Sequence, residues 1–206
     1  MRVDIDPEAV GRRQFYALLN SVVVPRPIAW VSTRSAEGVL NLAPHSFFTV
    51  SSVQPPMVQF TSVGRKDSLN NVEATREFVV NFAAEQLYEQ VNASGTNFPP
   101  EISEFEAIGV TTEPSRTIAV PRVAESPVAL ECTLHTTVEL GDCTLVIGCV
   151  RHVAIAAEVM DGDHPDIHRL RPLARLGQNE WSTIGKVLDI TRIRYEDWPG
   201  HYQHSD

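Results

Sequence analysis

VALECTLHTTVELGDCTLVIGCVRHVAIA, residues 128–156, is the stretch that decides the fold. Val128, Leu130, Cys132, Leu134, Thr136 and Val138 fall on one face of an extended chain, and Glu131, Thr133, His135 and Thr137 fall on the other. Side chains of a strand point alternately to opposite faces, so this period of two predicts a half-buried strand. Gly141-Asp142 supplies a turn, and residues 144–156, rich in Val and Ile, return as a second long strand. Two long antiparallel strands joined so tightly suit a barrel.

Upstream, the same signals recur on a smaller scale. Residues 8–20 read as a short helix with Phe15, Leu18 and Leu19 apolar, leading into a strand over 28–33. Ser35-Ala36-Glu37-Gly38 is a turn, and it joins that strand to 39–43 as a hairpin. Residues 57–63 and 78–82 read as further strands with a helix over 67–76 between them, and 85–107 reads as a helical excursion over one barrel end. A last strand is expected over 186–190. The chain shows no internal repeat and no low-complexity linker, so one domain over 1–206 is expected, with its core at about 20–193 and a polar tail over 197–206.

Composition narrows the function classes. With 206 residues, 43% of them hydrophobic and 21% charged, the chain can bury a substantial core. A net charge of −9 argues against nucleic acid and anionic membrane as partners, because both favour basic surfaces. No segment approaches the roughly 20 apolar residues that cross a bilayer. The N-terminal residues lack the apolar run of a signal peptide, and Cys132, Cys143 and Cys149 make no even-numbered disulfide framework, so a cytoplasmic location is expected.

The chemistry-bearing residues cluster between Arg26 and Asn81. At Gly64-Arg65-Lys66-Asp67-Ser68 a strand ends and a helix with Leu69 and Val72 on one face begins. A helix start leaves N–H groups unpaired and carries partial positive charge, so it stabilises an anion, and Arg65 and Lys66 add two full charges. Ser68 or Asp67 can cap the helix. An exposed loop with an ordinary capped helix is the other reading. At Asn41-Leu42-Ala43-Pro44-His45-Ser46, proline lacks an N–H, so the ladder is expected to open and to free backbone and hydroxyl groups for a ligand. An edge strand that merely bulges at Pro44 is the alternative.

Other chemistries find little support. The chain contains no G-x-G-x-x-G, no G-x-x-x-x-G-K-[ST] and no G-x-S-x-G, so the dinucleotide, P-loop and nucleophile-elbow signatures are absent. No metal is expected. His164 and His168 stand four apart, but Pro165 and Asp161-Gly162-Asp163 read as a loop turning into a helix. Cys132 with His135, and Cys143 with Cys149, lack the close pairing of zinc ligands and read better as small buried hydrophobes. His201 and His204 lie in the polar tail and receive no role.

PRPIAWVST at 25–33, GVLNLAPHSFF at 38–48, Pro55-Pro56 ahead of a strand, Arg65-Lys66-Asp67, and PRVAESPVALEC at 121–132 together resemble the flavin reductase-like family, the flavoredoxin-like FMN-binding split barrels. The resemblance runs from about Pro25 to Ile193. It implies a fold that is mainly β with peripheral helices, a six-stranded antiparallel split barrel, and a homodimer with FMN, or the related FAD, at the subunit interface. It implies that Arg65, Lys66, Asp67 and Ser68 hold the phosphate. Ser32, Thr33, Asn41, Ala43, Pro44, His45, Ser46, Thr61 and Ser62 line the rest of the cofactor cleft by position in the matching motifs.

The implied activity is that of an NAD(P)H-dependent flavin reductase, with hydride passing to flavin N5 and reduced flavin supplied to a monooxygenase partner or small acceptor. The cofactor carries that chemistry, so no catalytic side chain is required. An FMN-dependent enzyme with its own organic substrate and a flavin-binding electron carrier are the alternatives. Many relatives have a histidine after the Gly-Asp turn, a position associated with the nicotinamide face of the cleft, and later a glutamate after a glycine, where this chain has Cys143 and Cys149. Cys143 and Trp181 are the candidates for the substrate or nicotinamide side, with Trp181 either covering the flavin or packing in the core.

Overall fold

The structure, a computed structural model, describes residues 1–198. Its centre is one antiparallel sheet built from β1 (Ala29–Arg34), β2 (Leu40–His45), β3 (Phe48–Ser52), β4 (Met57–Val63), β5 (Glu77–Phe82), β6 (Val128–Leu140) and β7 (Cys143–Ile155). The strand order is β2-β1-β5-β6-β7-β4-β3. The two edge strands, β2 and β3, are consecutive in sequence and separated only by Ser46 and Phe47. So short a link brings the opposite edges of the sheet together, and the sheet must curl. No ladder joins those edges among the described residues, so the curled sheet stays open between them.

The sheet has seven strands instead of the expected six. The additional strand, β3, is a five-residue run of Phe, Val, Thr and Ser, too short to show a period of its own, and it pairs with β4 through a register shift between Val50 and Ser52. The strand expected over 186–190 is absent. It has no neighbour to pair with among the described residues, and Leu188 and Ile190 are 77% and 82% exposed.

The β6–β7 hairpin forms as its alternation predicts, with Gly141 in the left-handed region at φ 63°, a conformation open to glycine at no steric cost. The face assignment holds only in part. Cys132 and Leu134 enter the core, whereas Val138 and Leu140 lie exposed near the hairpin tip. On the face expected to be polar, Glu131 is fully buried because the segment before 121–123 folds over it. Its carboxylate accepts from Arg116 N at 2.8 Å, Thr117 N at 2.7 Å and Thr117 Oγ1 at 2.6 Å.

Two apolar clusters sandwich β1, which is why nearly all of that strand is buried. Inside the curl, Ala29, Val31, Phe60, Phe78, Val80 and Val146 pack with Leu69 and Val72 from α2 (Asp67–Thr75), which plugs one end. Outside it, Ile28, Trp30 and Leu42 pack with Leu87 and Val91 and with Phe105, from the helical excursion that contains α3 (Tyr88–Ala93) and α4 (Glu104–Ile108). Burial of aliphatic and aromatic side chains at about 25 cal/mol per Å² is the main stabilising contribution in both. The N-terminal helix, α1, spans Arg12–Val22, later than the expected 8–20, and none of its residues is buried.

Candidate functional site

The open seam of the curled sheet is also where the polar residues gather. A cleft of about 410 Å³ is bounded by residues 41 and 43–47, by Thr61, by the turn 65–68, by 94–98, and by Tyr16 and Glu104. Its volume lies in the usual range for small-molecule sites. Ten of the candidate residues line it: Asn41, Ala43, Pro44, His45, Ser46, Thr61, Arg65, Lys66, Asp67 and Ser68.

The basic turn stands at the start of α2. The chain enters the helix from Lys66, whose side chain makes no capping hydrogen bond, so neither Ser68 nor Asp67 caps it as expected. The first turn therefore keeps N–H groups available beside the cleft. Arg65 pairs with Glu73 at the surface, and Lys66 Nζ donates to Asn97 Oδ1 at 3.4 Å. Both cations line the opening rather than the core.

Pro44 sits inside β2, directly opposite Trp30 of β1, and that ladder runs without a register shift from residue 40 to residue 45. The expected opening of the ladder at Pro44 does not occur. An edge strand needs no N–H on its outer side, so proline fits there, and the residues of 41–46 that line the cleft do so from an unbroken edge.

Behind this edge lies a buried hydrogen-bonded chain. His45 Nδ1 is 3.4 Å from the Thr61 carbonyl and Nε2 is 3.3 Å from Ser68 Oγ. The carbonyl only accepts, so Nδ1 carries the proton and Nε2 accepts from the Ser68 hydroxyl. Asn41 Nδ2 donates to Ser68 Oγ at 3.1 Å and to Thr33 Oγ1 at 3.2 Å, and Asn71 Nδ2 donates to Thr33 Oγ1 at 3.1 Å. The network ties β1, β2 and β4 to α2 and so fixes the helix start against the cleft.

Burial, aided by the nearby Lys66 ammonium and opposed by the Thr61 carbonyl, lowers the His45 pKa to about 4. An unfolded histidine takes up its proton near pH 6.5, so between there and pH 4 the unfolded chain binds more protons, and stability falls as pH falls. The denaturation midpoint of the wild type is expected to drop across that window more steeply than that of His45→Asn. Parallel pH profiles would remove His45 as the cause.

Glu104 was not anticipated. It is buried at the cleft wall, its Oε2 accepts from Leu42 N at 2.9 Å, and burial, with a contribution from Asp67, holds its carboxyl above the usual range against that hydrogen bond. The polar run Ser94-Gly95-Thr96-Asn97 after α3 was also missed, although its composition marks it as a turn.

Ser32, Thr33 and Ser62 do not line the cleft. All three are fully buried. Ser32 donates to the Pro121 carbonyl at 2.7 Å, Ser62 donates to the Gly64 carbonyl at 2.8 Å, and Thr33 accepts from Asn41 and Asn71. Cys143 and Trp181 also stand away from it. Cys143 begins β7 beside Asp142, and burial and that carboxylate raise its thiol pKa. Trp181 packs edge-on against Tyr88 with ring centroids 5.2 Å apart and lies beneath Arg175 at 4.7 Å. No group of three or more His, Cys, Asp or Glu able to hold a metal occurs among the described residues, and His201 and His204 lie outside them. No helix among the described residues is long and apolar enough to cross a membrane.

Comparison with known proteins gives one consistent outcome. Residues 21–173 match the model of the flavin reductase like domain. An uncharacterized protein of Halalkalibacterium halodurans is 38% identical over 200 residues, covering 91% of this chain and 95% of its own. The solved structure of nitrilotriacetate monooxygenase component B from Bacillus cereus superposes with a TM-score of 0.89 at 31% identity, covering 92% of this chain and 99% of that one. That of Pseudomonas fluorescens 2-nitrobenzoate 2-nitroreductase does so with a TM-score of 0.88 at 30% identity, covering 94% and 98%.

Proposed function

The chain belongs to the flavin reductase like domain family, and from that premise we propose that it is an FMN-binding oxidoreductase, an NAD(P)H-dependent flavin reductase that supplies reduced flavin to a monooxygenase partner or small acceptor. The observation that carries the reading is the uncapped start of α2 with Arg65 and Lys66 beside it, opening into the polar cleft at the seam of the sheet. A phosphate fits that place on two counts, the unpaired N–H groups and the basic side chains. A bound flavin supplies the hydride-accepting ring, which is the chemistry the protein itself lacks.

The chain's own residues hold, orient and shield. Arg65 and Lys66 neutralise the phosphate, and Glu104 and Asn97 offer polar groups to the hydroxyl-bearing chain beyond it. His45, kept neutral, adds no charge behind the ring and holds Ser68 in place. The residues of 43–47 and Thr61 form the wall nearest the ring. FAD fits the same phosphate grip. The resemblance of 92% of the chain to a monooxygenase component B supports a partner of that class.

A homodimer is part of the reading. Leu188 and Ile190, like Val50 and Val53 on and beside edge strand β3, are exposed apolar side chains that a second copy would cover. The free Cys132, Cys143 and Cys149 suit a reducing cytoplasm.

The test is an absorbance spectrum of the purified protein, followed by anaerobic addition of NADH and then NADPH. A flavin band that bleaches with one of them is expected. A bound flavin that neither nucleotide bleaches would discard the reductase reading. It would move weight to an FMN-dependent enzyme acting on its own organic substrate, a reading that one further observation favours: an apolar cavity of about 400 Å³ adjoins the cleft.

A further inference from the structure

Ser68 belongs to two structures at once. It is the second residue of α2, in the cleft wall with Arg65 and Lys66, and it is also a link in the buried hydrogen-bonded chain behind that wall. A hydroxyl has one proton and two lone pairs. Here the proton goes to His45 Nε2 and one lone pair takes a proton of Asn41 Nδ2, so a lone pair is what remains for the cleft. An ionised phosphate oxygen only accepts, and it is repelled by that lone pair. Ser68 therefore stands at the phosphate grip with nothing to give while His45 is neutral.

The direction of the bond is set on the far side of the imidazole. The Thr61 carbonyl requires the hydrogen on Nδ1, which leaves Nε2 of the neutral ring as the acceptor. Burial first, with the Lys66 ammonium aiding and Thr61 opposing, lowers the His45 pKa to about 4. Around the ring, β1 sets Ala29 opposite His45, and β4 brings Thr61 and Phe60, whose ring centroid is 4.6 Å away; none of these three titrates. The titratable groups lining the cleft with His45 are Arg65, Lys66 and Asp67 at the start of α2, Glu104 from α4 and Tyr16 from α1.

We propose that His45 is a positioning residue for the anion: protonation at Nε2 reverses the His45–Ser68 hydrogen bond and turns the Ser68 proton onto the bound phosphate, so that phosphate and proton are taken up together. In that state Nε2–H and Asn41 Nδ2 both donate to Ser68 Oγ, and the Ser68 proton has the phosphate as its acceptor; every donor and lone pair of the hydroxyl is used. The positive ring behind the hydroxyl adds an attraction that the neutral ring lacks. The inference rests on the flavin reading, which puts the phosphate at this turn, and it makes cofactor binding proton-linked. The sign follows from linkage: a bound anion raises the His45 pKa, so affinity rises as pH falls through the raised value.

His45→Asn is the informative variant. Its amide nitrogen replaces Nδ1 as donor to the Thr61 carbonyl, and it has no atom in place of Nε2, so the Ser68 proton is free for the phosphate at any pH. At about pH 7.5 the variant is expected to bind FMN about tenfold more tightly than wild type in a fluorescence titration, the difference that one hydrogen bond to a charged group makes. A residue needed only for the fold would give the opposite sign. Ser68→Ala added to the variant should return the affinity to that of wild type. Ser68→Ala alone should leave FMN affinity at about pH 7.5 within roughly twofold of wild type, a check that does not depend on His45→Asn folding.

Sulfate, which stays fully ionised over this range, is the second probe, titrated by calorimetry into flavin-free protein. Its affinity gap between His45→Asn and wild type is expected to narrow by about half or more on going from about pH 7.5 to about pH 5, because Asp67 and Glu104 are common to both proteins and His45 is not. FMN binding no tighter in His45→Asn, a gap that survives Ser68→Ala, a large loss in Ser68→Ala alone at neutral pH, or a sulfate gap that does not move with pH would each overturn the inference and leave the flavin reading standing. The sulfate pattern in protein that takes up no flavin would support the inference and defeat the flavin reading alone. Binding of neither anion would overturn both.

Discussion

Arg65→Ala combined with Lys66→Ala lowers FMN affinity by roughly two orders of magnitude in a fluorescence titration. A hydrogen bond to a charged group contributes about 1.5–3 kcal/mol, and both side chains sit at the cleft mouth where water competes, so the lower end applies to each. Two such losses sum to about 3 kcal/mol, roughly a 150-fold change in dissociation constant. Arg65 is shared with Glu73, which draws some of its charge away from the cleft and further favours the lower figure. Riboflavin, which lacks the phosphate, supplies the internal control: wild type and variant should bind it alike. Raising the salt concentration should weaken FMN binding to the wild type more than to the variant, because screening acts on charges the variant has lost. An unchanged FMN affinity would sink the phosphate assignment.

The part of the site that could be read ahead of the structure is the part encoded locally. Arg65, Lys66, Asp67 and Ser68 announce a helix start by composition, and 41–46 announces an unusual strand through Pro44. Both line the cleft. Ser94, Asn97 and Glu104 reach it only because α3 and α4 fold over the outer face of β1 and β2, and no short-range pattern reports where an excursion lands.

The misplaced residues have a common cause. Ser32 and Thr33 alternate along β1, and a polar residue on a strand ordinarily implies a wet face. Here both faces of β1 are covered, so one hydroxyl ties down Pro121 and the other receives two asparagines. Glu131 repeats the lesson on β6, where alternation assigns it to solvent and a returning loop buries it. Hydrophobic periodicity located the strands 57–63, 78–82 and the long hairpin, whereas it could not tell the five-residue β3 from a loop. It also took apolar 186–190 for a strand. An apolar run forms a strand only where it meets a partner edge, and among the described residues 186–190 pairs with none.

The largest stability effect is expected at a residue the sequence marked only as a glycine in a strand. Gly148 lies buried in β7, where the pairing with β6 shifts register between Ile147 and Gly148. A Cβ built there would stand 2.6 Å from Phe78 Cε1, closer still to Cζ, and 3.3 Å from Cys132 Cβ. Phe78 is fully buried and meets Phe60 edge-on with centroids 5.4 Å apart, so its ring has little room to withdraw. Overpacking a close-packed core costs about 1–3 kcal/mol, and the upper end or beyond applies to Gly148→Val, a large share of the 5–15 kcal/mol that holds a typical domain folded. The urea midpoint should fall accordingly. Phe78→Leu removes the ring edge that the new methyl groups strike, so Gly148→Ala should cost clearly less in that background than in the wild type, a coupling expected of residues in direct contact. Strict additivity of the two changes would mean that Phe78 is not what excludes a side chain at 148. The aromatic wall of the core would then owe its placement to something other than the gap this glycine leaves.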